Sequence, residues 1–197
     1  VAPAPTATPS TICFGNTAQL NSGLSAGTFG VASIPFSPAT TPGTGVTVLA
    51  NAGAAVTPLS GGNTDDGGWG GIPIGFSYNF FGSSFTTLGV GTNGLVMFGP
   101  IPGYGTGTGQ LGQYSFATPA FPNTGNPGNV IGLMLQDMNF GTAGSSLRYW
   151  TEGIAPTRRF VLSGVYAAWS GGGLSTVQLM LYETTGVVEI HITSSAD

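Results

Sequence analysis

Charge is what this chain has least of. Asp, Glu, Lys and Arg make up 5% of its 197 residues, against about 25% in ordinary soluble domains. There are seven acids, three arginines, no lysine and one histidine, for a formal net charge of -4. That balance excludes the basic footprint with which proteins neutralise nucleic-acid phosphates. A cytoplasmic protein normally keeps a charged surface for colloidal stability. Thr, Ser, Asn and Gly take that place here, which suits an extracellular, immobilised or polymerised protein. Cys13 is the only cysteine, so no disulfide closes within the chain. It reads as a buried small hydrophobe, with an intermolecular bond as the other option. No run of about 20 apolar residues is present, so no membrane insertion is expected. No signal peptide is visible, and the start at Val1 reads as a mature or excised product.

Catalytic groups are equally scarce. His191 has no second histidine and no nearby cysteine to make a metal site, and the hairpin register below puts it on an outer strand face. There is no Gly-x-Ser-x-Gly elbow and no phosphate loop. No triad follows from the positions of Ser, His and Asp. Glu183 and Glu189 fall at a turn and on a strand face, as solvated acids rather than a glycosidase pair. The expectation is a chain that is not an enzyme.

What is abundant is glycine, with 35 residues, and proline, with 14, alongside a hydrophobic fraction of 41% and 11% aromatics. Disordered chains lack that apolar content, so the composition reads as a folded, loop-rich β protein. The strongest local signal is the final hairpin, Val177 to Ile192. Two runs of period two flank a break at Glu183 to Gly186. Placing Gly186 in the left-handed conformation pairs Leu181 with Val188, Leu179 with Ile190 and Val177 with Ile192. One face is then wholly aliphatic, and a slip of one residue would put it in water.

Upstream, residues 1–20 alternate Ala, Pro and Thr before Ile12, Phe14 and Leu20, and read as an extended linker or arm strand. Those three apolar residues are the candidates for docking the arm. Residues 21–62 are rich in small residues and poorly defined, packing on the body or on a neighbour; residues 45–49 are a plausible strand. Residues 63–197 form the main body. Residues 61–71 read as a loop whose adjacent acids, Asp65 and Asp66, are candidate Ca2+ ligands, although their spacing lacks the alternation of an EF-hand loop. Ile72, Ile74, Phe76, Tyr78 and Phe80 share one strand face, with Pro73 marking an edge. Phe85 to Val90, the Asn93-Gly94 turn and Leu95 to Phe98 follow as a hairpin. Residues 99–128 form a long Gly/Pro-rich loop carrying Tyr104 and Tyr114. Those tyrosines either make a contact surface or pin the loop to the body. Asp137 is expected to pair with one of Arg148, Arg158 or Arg159. Trp69, Trp150, Trp169, Tyr104 and Tyr114 are candidates for stacking on a ligand.

Two resemblances rest on these motifs. The stretch Pro9-Ser10-Thr11-Ile12-Cys13-Phe14-Gly15 through Leu20 resembles the opening of Ig-like repeats in secreted surface proteins of Bacteroidota, without their second cysteine. The series Phe76-Ser77-Tyr78-Asn79-Phe80-Phe81-Gly82, Thr92-Asn93-Gly94, Pro156-Thr157-Arg158-Arg159-Phe160-Val161 and Leu181-Tyr182-Glu183-Thr184-Thr185-Gly186 resembles nidogen-type β-sandwich modules. The resemblance implies an all-β, antiparallel β-sandwich of jelly-roll or Ig-like type, with long Gly/Pro-rich loops and an extended N-terminal arm. It further implies a structural or adhesive repeat or subunit at the cell surface, exported by the gliding-associated route and partnered by copies of itself or neighbouring repeats. A carbohydrate-binding, lectin-like module recognising surface glycans, with or without calcium, is the alternative. No other cofactor is expected.

Overall fold

The computed structural model describes residues 18–22, 29–115, 128–170 and 173–195, with residues 18–22 and 29 given as backbone alone. Thirteen strands lie in the described residues: β1 Ala18–Ser22, β2 Phe29–Ser33, β3 Thr47–Asn51, β4 Ala54–Ala55, β5 Gly61–Gly62, β6 Gly67–Phe80, β7 Ser83–Gly91, β8 Leu95–Phe98, β9 Val130–Gly132, β10 Ser146–Glu152, β11 Arg159–Ala167, β12 Leu174–Tyr182 and β13 Val187–Ser194. They form an eight-stranded sheet in the order β2-β1-β13-β12-β11-β10-β3-β4 and a five-stranded sheet in the order β5-β6-β7-β8-β9. Every pairing is antiparallel. The fold is therefore an all-β sandwich, as the alternation of the strands requires.

The final hairpin sets the register of the larger sheet. Leu181 pairs with Val188, Leu179 with Ile190 and Val177 with Ile192, and Gly186 takes φ +65°, all as the sequence pattern demands. Val177, Leu179, Leu181 and Val188 are buried in the main core against Ile72, Ile74, Phe76, Tyr78 and Phe80 of β6. Burying each such side chain contributes roughly 1.5–3 kcal/mol. Pro73 sits where β6 has lost its outer neighbour, because β5 pairs only as far as Gly68. The missing N–H of proline therefore costs no ladder bond. The Tyr78 hydroxyl donates to the Gly186 carbonyl at 2.7 Å, and Thr151 Oγ1 donates to the Ile74 carbonyl at 2.7 Å. These two bonds stitch the sheets together.

Part of each outer face is also covered, by segments of the two regions expected to pack on the body. Residues 34–46 run as a strap from β2, near one edge of the larger sheet, across its outer face to β3. Gln178 holds the strap: the Ala39 N–H donates to Gln178 Oε1 at 2.8 Å, and Gln178 Nε2 donates back to the Ala39 carbonyl at 2.9 Å. Ala39 and Val46 of the strap form a second small core with Trp150, Val161 and Met180. His191, expected on an outer face, is buried at 1% exposure, because the strap's Phe36 ring packs edge-on against it.

The smaller sheet is covered by the loop after β8. Leu111, Ile101 and Tyr104 pack on Leu95 and Met97, so Tyr104 pins the loop to the body. The expected loop at residues 61–71 is shorter than the sequence pattern suggests. Gly67 to Gly71 belong to β6, and Trp69 is buried at 1%. The glycines serve close approach: a Cβ on Gly68 or Gly91 would collide with Leu111, and one on Gly70 with Tyr104.

Candidate functional site

The sandwich has two ends. At one, the β10–β11 and β12–β13 turns meet. Arg158 Nη2 lies 2.5 Å from Glu183 Oε1 and Arg158 Nε donates to Glu183 Oε2 at 2.8 Å. Arg158 also donates to the Gly75 carbonyl and stands over the Phe76 ring. Arg159 pairs with Glu152. These arginines tie the elements of one end together. The expected partnership with Asp137 fails for a topological reason: Arg158 and Arg159 begin β11, whereas Asp137 lies beside its far end. Arg148, in the middle of β10, makes no ion pair among the described residues.

The opposite end gathers Asp65, Asp66, Asn93, Asp137 and Trp169. Strand β6 starts there and β7 and β11 finish there, so the loops of residues 63–66, 92–94, 112–115, 133–140 and 168–170 converge. Asn93 is the hub. It is fully buried. Its Nδ2 donates to Asp66 Oδ1 at 3.0 Å and to the Gly112 carbonyl at 3.1 Å. Its Oδ1 accepts the Met138 N–H at 2.7 Å. The Asn-Gly pair that reads as a hairpin turn is thus also the joint between three loops. Asn63 shapes its own loop by accepting the N–H groups of Asp65 and Asp66 at 2.8 and 2.9 Å.

Asp137 lies within electrostatic reach of Asp65 and Asp66. Burial, and then the charges of those two neighbours, push its carboxyl above the ordinary carboxylate range. Asp65 is raised as well, first by burial and then by Asp66. Asp65 and Asp66 are the expected Ca2+ ligands. Among the described residues no group of three or more His, Cys, Asp or Glu is arranged to hold a metal ion, and one oxygen of Asp66 is already engaged by Asn93.

Trp169 stands at the same end with 62% exposure. Its N–H donates to the Asp137 carbonyl at 3.1 Å, and Met138 bridges to Ala168, so the backbone beneath the indole is fixed. Tyr114 is exposed at 43%, and Leu174 at 42% lies across the tip from Trp169. Of the candidate stacking residues, Trp169 and Tyr114 therefore present rings to solvent at the loop end. Trp69 and Trp150 do not. Trp69 donates to the Thr57 carbonyl from the core, and Trp150 lies beneath the strap, donating to Glu152. A buried indole has no free face for a ligand. The arm candidates divide as well. Leu20 falls in β1, opposite Val188 of the same chain, while Ile12 and Phe14 lie outside the described residues.

His191 contributes structure. Its Nε2 lies 3.2 Å from Glu189 Oε2, and its Nδ1 accepts the Ser37 N–H at 3.4 Å. No serine hydroxyl hydrogen-bonds to its ring among the described residues.

No curated protein and no solved structure matches the chain. One family model does, described as NIDO related, and it spans residues 37–197. Its span begins inside the strap, takes in the whole loop end and runs through the final hairpin. On that match over most of its length, the chain belongs to the NIDO-related family.

Proposed function

We propose that this chain is a structural and adhesive module of an extracellular bacterial surface protein, a repeat or subunit of the Bacteroidota adhesin type. The observation that carries this reading is how the module joins the chain before it. Strands β1 and β2 lie upstream of the family's span and extend its larger sheet from the β13 edge. A module joined by a strand ladder passes load through several backbone hydrogen bonds, unlike one on a loose Gly/Ser tether. The near-absence of charge and the burial of the one histidine support a non-catalytic role. Antibody labelling and protease shaving of intact cells of the source organism test the reading. Labelling of the chain on intact cells, with weaker adhesion after its deletion, is expected. Recovery of the chain only from inside intact cells contradicts it.

A second reading is favoured by one observation, the exposed indole of Trp169 at the same end of the sandwich as Asp65, Asp66 and Asp137. Aromatic faces and acceptor oxygens are what a sugar ring needs from a lectin-like site. A glycan array run with and without chelator separates the two readings. Binding that Trp169→Ala abolishes supports the lectin-like one, and a blank array for the folded chain removes it.

A further inference from the structure

The strap of residues 34–46 meets the larger sheet at two points of different chemistry. At Ala39 its partner is the amide of Gln178, which neither gains nor loses a proton near neutrality. At Ser37 its partner is the imidazole of His191. The Ser37 N–H donates to Nδ1 at 3.4 Å, and the Phe36 ring packs edge-on against the same imidazole, with centroids 5.9 Å apart. A ring nitrogen that accepts carries no proton. The neutral ring therefore holds its hydrogen on Nε2, where it donates to Glu189 Oε2 at 3.2 Å. The Tyr182 hydroxyl donates to that same carboxylate oxygen at 2.8 Å. Glu189, steadied by Tyr182, thus sets the tautomer that leaves Nδ1 bare toward the strap.

A second proton has one place to go, Nδ1, and there it points at the Ser37 N–H. Ser37 loses its acceptor and two donors face each other. The strap has no acid to take the new N–H. Residues 1–64 contain no Asp, Glu, Lys, Arg or His, so β1, β2 and the strap bring no charged side chain to the ring. From β12, the uncharged Gln178 stands opposite His191 in the ladder. Arg159 of β11, paired with Glu152 of β10, is hydrogen-bonded to Tyr182. The carboxylate that meets the ring is Glu189. It sits beside His191 on β13, so it faces the ring whether the strap is closed or open, and its attraction for the proton largely cancels between those states. The strap itself makes the difference. Closed, it requires a bare Nδ1 and leaves the ring 1% exposed; open, it requires neither. Burying a charged ring costs more than burying a neutral one. Protons therefore favour the open strap.

We infer that His191 is an acid-released latch: a proton on Nδ1 frees Phe36 and Ser37 from β13, while Gln178 keeps its hold on Ala39. The strap is shut over this part of the outer face at neutral pH and above, and swings from Ala39 in acid.

Amide exchange of the full chain, followed by NMR at about pH 8 and about pH 5 and corrected for intrinsic exchange, tests the latch, because imidazole takes its proton between those values. Protection at Ser37 is expected to fall at least about fivefold in acid, and protection at Ala39 by less than about twofold. The nuclear Overhauser contact between the Phe36 and His191 rings is expected to vanish over the same interval. His191→Asn keeps an acceptor near the position of Nδ1 and takes no proton there. Protection at Ser37 in that variant is expected to be equal at the two pH values. Should His191→Asn fold poorly, the ring nitrogen shifts of the unaltered chain serve instead: ring protonation and loss of Ser37 protection must share one midpoint. Unchanged Ser37 protection in the unaltered chain overturns the inference. So does an equal loss in His191→Asn, or a separation of the two midpoints.

Discussion

Two buried tyrosines show how single residues set stability here. Tyr78 donates its hydroxyl to the Gly186 carbonyl, whereas the Tyr166 hydroxyl is buried with no partner among the described residues. Desolvation pushes both phenols well above their ordinary range. Removing the two oxygens should therefore have opposite effects. Tyr78→Phe removes a buried hydrogen bond and should cost about 1 kcal/mol, while Tyr166→Phe should be neutral or stabilising by about 1 kcal/mol in urea unfolding. Asn93 carries more, since it satisfies three loops at once. Asn93→Ala should cost about 3 kcal/mol by the same measurement, as three buried groups lose their partner. Asp137 has a distinct pH signature. Its carboxyl is raised above 3.8 by burial and by Asp65 and Asp66, so the folded state binds the proton more tightly than the unfolded state. Stability from this group is lost as pH rises through that window. Asp137→Asn should raise the melting temperature near neutrality and do little on the acid side of 3.8. Glu183 has the opposite sign. The hydrogen bond from Arg158 holds its carboxyl below 4.5, so its contribution is present above that value and fades as pH falls through the folded pKa.

At the scale of elements, strands with strict alternation are legible in the sequence, whereas for the covering segments only their packing on the body or a neighbour is, and not how they grip it. The final hairpin and the 72–80 face follow from period two, because each inward residue must meet the opposite sheet. Leu95–Phe98 was found to the residue. In the apolar run from Asn129 to Asp137 only Val130–Gly132 pairs. The rest serves the loop end, where the Met138 N–H goes to Asn93 instead of a ladder. The strap was illegible because its grip is backbone to side chain: Ala39 offers no pattern, and Gln178 looks like an ordinary polar residue on an outer face. The burial of Trp69 was hidden for a related reason, since its flanking glycines signal loop until the covering chain at Leu111 is seen. Gln178→Leu removes the clasp while keeping bulk. It should cost about 1–3 kcal/mol and should speed amide exchange at Ala39 more than at Leu179. Equal acceleration at both sites would mean that the strap is not held by this side chain.

Across the whole molecule, low charge and the covered faces belong together. A sandwich whose outer faces are partly roofed by a strap and a pinned loop shields those parts with neutral backbone and small side chains rather than with lysine and glutamate. On the proposed reading it meets its surroundings through two places, the Trp169 loop end and the side of the larger sheet that β1 and β2 extend. Function was less legible than fold because both places depend on distant segments meeting, and their signals in sequence are an isolated Trp and an unremarkable stretch before the motif series. The central claim is that residues 18–22 complete the module's sheet along β13. Hydrogen exchange of the full chain measures it most directly. Amides of residues 18–22 are predicted to be protected in the same range as those of Val187 to Ile190, by at least about tenfold over the exposed 153–157 turn. Exchange of residues 18–22 at the rate of an unpaired segment, with the β13 edge equally fast, would contradict the account.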